Sequence, residues 1–284
     1  MQMKIGAIIQ ARTSSTRLPE KVLKYLPYNS NITVLQQVIR RTKRSKLIND
    51  IIVATTNDEK DQKIVKIAEF EKVKWYRGSI DNVLERYYFA ATEYKVDLIV
   101  RITSDCPCID WNIIDKIIEF HIDHNSDYTS NTLQRTFPHG LDVEVFSFEV
   151  LEEAYYNATK DYEKEHVTPY IHTSNRDKFK ICNFEAPEEL SAPDIRITLD
   201  TEEDYALLCA VFDSLYYKNE FFNSYNIVNL FKEKPWLKLI NKKIVQKKIF
   251  NSVEEEIEEA MKILELQELH HAKKVLETWN HRKY

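Results

Sequence analysis

Short apolar runs alternate with longer stretches of helical periodicity through the first half of the chain. Ile5 to Ile9, Ile51 to Ala54, Val73 to Tyr76 and Leu98 to Ile102 each read as a buried strand. Between them Val34, Leu35, Val38 and Ile39 form one helical stripe, Ile64, Val65, Ile67 and Ala68 a second, and Val83, Leu84, Tyr87, Tyr88 and Ala91 a third. Ile113, Ile114, Ile117, Ile118 and Ile122 follow as a fourth. Ser79 is a candidate N-cap for the third helix. Strand–helix alternation of this kind predicts an α/β fold with a mostly parallel sheet and right-handed crossovers.

The second half is less regular. Leu141 to Phe146 alternates as a strand, Glu149 to Ala158 reads as a helix, and Pro169 marks a boundary within Glu163 to Ser174. Phe179 to Phe184 and Ile195 to Leu199 read as strands, and Thr201 to Leu215 as an amphipathic helix. From Trp236 the character changes. Lys238 to Lys248 is strongly basic, and Ser252 with Glu255 has the spacing of a capping box opening a long charged helix. The expected organisation is a main domain, 1–241, and a C-terminal helical extension, 242–284.

The chemistry gathers where the strands end. Behind the first strand lie Gln10, Ala11, Arg12, Thr13, Ser14, Ser15, Thr16, Arg17 and Lys21. In an open parallel sheet, ligands bind at the carboxyl ends of strands. Small hydroxylated residues let backbone N–H groups approach an anion, and long cations can surround it. The loop is therefore expected to hold a polyphosphate. The second strand ends in Thr55, Thr56 and Asp58, and the third in Arg77 and Ser79, where a nucleobase and ribose could rest. The fourth ends in Thr103, Ser104 and Asp105. Asp200 follows the run Ile195 to Leu199, so two carboxylates can converge on one point. That suits a hard cation such as Mg²⁺, which takes one or two carboxylates plus phosphate oxygens. Taken alone, Asp200 could equally cap the helix at Thr201, and Asp105 could be a turn residue before Pro107.

The stretch ARTSSTRLPEKVL resembles the nucleotide-binding loop of the cytidylyltransferases that activate acidic sugars, the CMP-KDO and CMP-sialic acid synthetases. Within these it is most similar to the spore-coat polysaccharide biosynthesis branch. The resemblance covers about Met3 to Asn241. It implies a Rossmann-like fold of the nucleotide-diphospho-sugar transferase type, with a mixed sheet flanked by helices. It also implies coupling of CTP to an acidic sugar or phosphorylated acceptor, with pyrophosphate released, for surface polysaccharide or glycoconjugate synthesis. On the resemblance, Asp105 and Asp200 are the magnesium ligands, with Asp204 a weaker candidate, and a homodimer is usual. Arg12, Arg17 and Lys21 would face the triphosphate. PHGLDVEVF and EKEHVTPY match acceptor segments, which makes His139, Asp142, Glu144, Glu165 and His166 candidate substrate residues. Family members usually carry Gly where this chain has Glu20.

Composition narrows the alternatives. The 284 residues include only three glycines, Gly6, Gly78 and Gly140, which excludes both the GxGxxG and the Walker-type phosphate loops. A formal net charge of −5 argues against a general nucleic-acid binder. No apolar run approaches the ~20 residues of a membrane helix. The N-terminus does not read as a signal peptide, and the four cysteines fit no common zinc spacing, so a cytoplasmic protein with reduced thiols is expected. Two other readings compete. A glycosyltransferase would normally show a D-x-D pair where this chain has SDCP. A catalytically inactive nucleotide-binding scaffold would suit Glu20 and the extra C-terminal helix, but not the intact cations and aspartates.

Overall fold

The computed structural model describes residues 3–244 and 253–281. The chain divides into two compact units, 1–244 and 245–284, whereas the sequence placed the boundary at 241/242. The first unit holds one seven-stranded sheet. Its strands are β1 (Ile5–Gln10), β2 (Asp50–Thr56), β3 (Lys74–Gly78), β4 (Leu98–Thr103), β5 (Tyr128–Ser130), β6 (Glu144–Ser147) and β7 (Ile181–Asn183). They lie in the order β3-β2-β1-β4-β6-β5-β7. β1 pairs in parallel with both β2 and β4, β2 with β3, and β5 with β7, while β6 is antiparallel to β4 and β5. The strand order reverses at β1 and β4, so a crevice opens at their carboxyl ends.

Eight α-helices cover the two faces of the sheet: α1 (Val34–Thr42), α2 (Gln62–Phe70), α3 (Val83–Tyr94), α4 (Trp111–Asp123), α5 (Phe148–Asn157), α6 (Asp161–His166), α7 (Glu202–Leu215) and α8 (Ser224–Glu233). Side chains alternate along each strand, so the central strands feed two cores. Ala7, Ile9, Val53, Val100 and Ile102 pack with α1, α2, α4, α7 and α8. Ile8, Ile52, Ala54, Ile99 and Phe146 pack with α3 and α5. Gln10, the last residue of β1, and Arg12 just beyond it continue the Ile8 parity, towards the α3 face.

Several expectations are corrected. Ile195 to Leu199 is extended but is no strand of the sheet; it makes one isolated parallel bridge, Arg196 to His139. Only the second half of Leu141 to Phe146 is strand. Short β5 and helix α8 escaped the sequence reading. The N-cap of α3 is Asn82, which accepts the Glu85 N–H, while Ser79 accepts the N–H of Asn82. In the second unit the expected long helix is two, α9 (Val253–Leu266) and α10 (His270–His281), broken where Glu268 turns left-handed at φ 56°. The two pack on each other, and Lys273 pairs with Glu265 at 2.8 Å. Ser252 of the proposed capping box lies outside the described residues.

Candidate active site

The loop after β1 is fastened from below. Asp61, buried just before α2, accepts the Thr13 backbone N–H at 2.8 Å and the Thr13 hydroxyl at 2.6 Å, and its other oxygen takes the Thr56 hydroxyl. Thr13 and Thr56 therefore spend their donors inside the protein and are anchors, not the phosphate and base ligands that their positions suggested. Nothing in the sequence marked Asp61, because its partner lies 48 positions away. Arg77 is likewise structural: its guanidinium donates to the Thr56 and Asp58 carbonyls and to Gln62. Asp58 accepts the Lys60 N–H and caps the turn before α2. Thr55 is buried with its hydroxyl unpartnered, and Ser104 is buried with its N–H on the Gln10 carbonyl. Thr103 sits 3.2 Å from the Cys106 sulfur. Ala11 is buried, whereas Arg12 and Ser14 remain exposed at the mouth of the crevice and Ser15 is half-buried.

Glu20 sits in the left-handed region, φ 52° and ψ 26°. That conformation explains the glycine usual here: it costs an L-residue roughly 1–2 kcal/mol and costs glycine little. The Glu20 carboxylate turns outward and pairs with Lys63 at 2.7 Å, while Lys24 lies over the Tyr205 ring. The pair is about half exposed on both sides, so it returns little stability. Glu20→Gly is therefore expected to leave nucleotide affinity intact and to raise stability by up to about 1 kcal/mol. Chemical denaturation and a CTP titration check both; a clear loss of affinity would give Glu20 a positive role in the loop.

At the centre lies Lys21. Its ammonium bridges Asp105 at 2.7 Å and Asp200 at 2.9 Å, carboxylates brought from β4 and from the segment before α7. Arg17 reaches Asp200 at 3.1 Å, and Arg196 reaches its other oxygen at 2.8 Å. Burial works against the Lys21 charge, but the two aspartates more than reverse this and raise its pKa to about 12. Burial pushes the Asp200 carboxyl up, yet Lys21, then Arg196 and Arg17, hold it at about 2. Asp200 is not a helix cap: Thr201 caps α7, in a capping box with Asp204. Asp204 is fully buried and takes Arg196 through two hydrogen bonds, the N–H groups of Asp200 and Thr201, and the Asn241 amide. Its oxygens are committed, which removes it as a metal candidate.

Asp105 and Asp200 share a single cation, so two hard carboxylate oxygens already face one point. Among the described residues no group of three or more His, Cys, Asp or Glu is placed to hold a metal. A divalent ion there would complete its shell with phosphate oxygens and water, a set that fits Mg²⁺.

A second wall adjoins this pair. Arg135 holds Asp142 through two bonds, 2.7 and 3.0 Å, and these keep the half-buried Asp142 carboxyl below its usual range although desolvation opposes it. His139 Nδ1 lies 3.1 Å from Arg196 Nη1, so it accepts from the guanidinium and the ring proton sits on Nε2. Burial, aided by the Arg135 and Arg196 charges, keeps the ring neutral against the pull of Asp142. His139 is thereby set as a hydrogen-bond donor rather than as a base.

Glu144 does not belong to this wall. It is buried against Arg101 and accepts the Tyr128 and Thr168 hydroxyls, at 2.8 and 2.6 Å. Its Thr168 contact steadies a strained turn, for Val167 is fully buried with φ 72° and ψ −56°, and the Thr168 N–H closes on the His166 carbonyl at 2.9 Å. Such conformations cost about 1–3 kcal/mol and concentrate at functional sites. Glu165 and His166, both half-buried on α6, sit at the edge of this turn. Within the segment that the sequence singled out, Glu144 is a buried support.

A Rossmann-like sheet, with a cation loop and two convergent aspartates at its switch point, defines a nucleotidyltransferase type of site. The comparisons narrow the class: residues 6–229 match the family model described as cytidylyltransferase, and the chain belongs to that family. It is 40% identical over 258 residues to an uncharacterised protein of Methanocaldococcus jannaschii, covering 89% of this chain and all of that one. It is 34% identical over 207 residues to the spore coat polysaccharide biosynthesis protein SpsF of Bacillus subtilis, covering 72% of this chain and 85% of SpsF. A solved cytidylyltransferase structure from Leptospira borgpetersenii superposes with a TM-score of 0.77 at 32% identity, over 88% of this chain and all of that one.

Proposed function

We propose that the protein is a Mg²⁺-dependent cytidylyltransferase that couples CTP to an acidic sugar or phosphorylated acceptor for polysaccharide or glycoconjugate synthesis. It would release pyrophosphate and work in the cytoplasm as a homodimer. The observation that carries the reading is the Lys21 ammonium held between Asp105 and Asp200 at the switch point of a cytidylyltransferase-family sheet.

In the reaction an acceptor oxygen attacks the α-phosphorus of CTP, and the bond to the bridging oxygen of pyrophosphate breaks. The protein needs to do little covalent work; positioning and charge neutralisation carry most of the barrier reduction. Arg12, Arg17 and Lys21 neutralise the triphosphate and the departing pyrophosphate. Asp105 and Asp200 would hold the metal, which when bound polarises phosphate oxygens. Arg196 keeps Asp200 aimed at that point, and its tie to Asp204 leaves it in place if Asp200 turns to a metal. His139 Nε2–H and the Arg135 side chain offer donors to a negatively charged acceptor. An acceptor that is already a carboxylate or phosphate needs no general base.

Pyrophosphate release measured with CTP, UTP, ATP and GTP against a panel of sugar acids and sugar phosphates tests the reading. The expected result is release from CTP, dependent on Mg²⁺ and on one acidic acceptor. No binding of any nucleoside triphosphate with Mg²⁺ present, by calorimetry, would remove the enzyme reading.

A further inference from the structure

Arg86 lies on α3 and is 2% exposed, yet among the described residues its Nε and Nη1 have no hydrogen-bond partner and it makes no ion pair. Its stem is pressed over Gly78 at the end of β3. A Cβ added at Gly78 would meet Arg86 Cγ at 2.9 Å, so one of the chain's three glycines leaves room for this side chain. The groups facing it offer it no hydrogen bond. Tyr87 donates its hydroxyl to the Ile8 carbonyl at 3.1 Å. The oxygens of Asp61 are taken by Thr13 and Thr56. Arg12, the nearby cation, is itself without a partner among the described residues and disfavours a second positive charge. Burial, with Arg12 adding to it, lowers the Arg86 pKa to about 10, against the opposing pull of Tyr87 and Asp61. On the same sheet face the Gln10 Oε1 is also buried and unpartnered.

A guanidinium is rarely buried without an anion or acceptor, because desolvation is costly and is repaid only by good pairing. Two unpaired guanidiniums within electrostatic reach of each other are repaid best by one anion between them. We propose that Arg86 joins Arg12 in a two-guanidinium receptor for a phosphate group of the bound nucleoside triphosphate. This rests on the nucleotidyltransferase reading and extends it: Lys21 and Arg17 reach the crevice already paired with Asp105 and Asp200, whereas Arg12 and Arg86 wait unpaired. The free protein carries an unsatisfied cation that the ligand satisfies.

Two properties follow that a purely structural arginine would not share. Arg86→Met removes a buried unpaired charge, so the ligand-free protein should melt at a higher temperature than wild type. The same change should weaken binding of inorganic tripolyphosphate, measured by calorimetry without divalent metal, about 10-fold or more, the worth of a charge-assisted hydrogen bond. Binding of cytidine should not change. Arg86→Lys keeps the charge and should lose less tripolyphosphate affinity than Arg86→Met. Unchanged tripolyphosphate affinity in a folded Arg86→Met protein would overturn the inference. So would a loss confined to cytidine, which would place Arg86 at the base. A wild-type protein that binds no CTP with Mg²⁺ would remove the functional reading and the receptor with it; wild-type binding with indifferent variants would remove the receptor alone.

Discussion

Asp200→Asn is expected to lower turnover roughly 10²-fold or more in a protein that remains folded, the scale of losing one transition-state stabiliser. The helix start is not at stake, since Thr201 and Asp204 form the cap. No buried cation is orphaned, because Lys21 keeps Asp105 and Arg196 keeps Asp204; Arg17, which loses its partner, is exposed to water. The stability cost should therefore stay near that of a hydrogen bond to a charged group, about 1–3 kcal/mol. Asp105→Asn should behave alike. If both carboxylates act through one ion, the double change should cost much less than the product of the single effects. A further sign separates this from a general loss of structure. With Asp200 neutral, Lys21 and Arg17 are released towards the crevice, so CTP affinity without metal should hold or rise while the gain from adding Mg²⁺ disappears. Turnover, melting temperature and CTP affinity with and without Mg²⁺, for all four proteins, test this. Near wild-type turnover in either single variant would take that aspartate out of the site; full additivity would show that the two share no metal.

The parts of this arrangement that were legible in the sequence are those set by local pattern. β1 to β4 are apolar runs closed by polar residues, and their strand ends carry Arg12, Arg17, Lys21 and Asp105 in plain view. What escaped depends on partners distant in sequence. Thr13 looks like a phosphate ligand until Asp61 is seen to claim both its donors. Glu144 looks like an acidic pocket residue because it alternates with apolar neighbours, but Arg101 on the adjoining strand makes it a buried counter-ion. Arg86 looks like the polar side of an amphipathic helix, and only its place over Gly78 shows that it is inside. The run Ile195 to Leu199 has the composition of a strand, but one bridge to His139 is all the sheet offers it. β5 is three residues long and two of them, Thr129 and Ser130, are polar, so its apolar signal is too short to read. The glycine usual at position 20 could not be explained from sequence, whereas φ 52° at Glu20 points to backbone conformation.

Gly140→Ala should produce the largest loss of stability of any conservative change near the site. Gly140 has φ +111°, a region that L-residues rarely adopt. A Cβ there would stand 2.7 Å from the carbonyl carbon and oxygen of Ile197 and 2.8 Å from the Thr198 nitrogen. These are backbone atoms and cannot swing aside as a side chain would. They also belong to the bridge that positions the second aspartate. His139 N–H donates to the Ile195 carbonyl at 2.8 Å, Ile197 N–H to the His139 carbonyl at 2.7 Å, and Leu199 N–H to the Asp105 carbonyl at 2.9 Å. Relieving the clash must move this segment, and with it Arg196 and Asp200. Strain and overpacking each cost about 1–3 kcal/mol, so a loss of roughly 2–6 kcal/mol is expected, several degrees or more in melting temperature. Turnover should also fall, about 10²-fold for an ångström of misplacement, even at temperatures where the variant is folded. Gly6→Ala is the control. The atoms nearest its Cβ all belong to the Val96 side chain, near the opposite end of β1, so it should cost stability but leave turnover largely intact. A folded Gly140→Ala protein with wild-type turnover would show that the register of His139 against Ile197 does not set the position of Asp200.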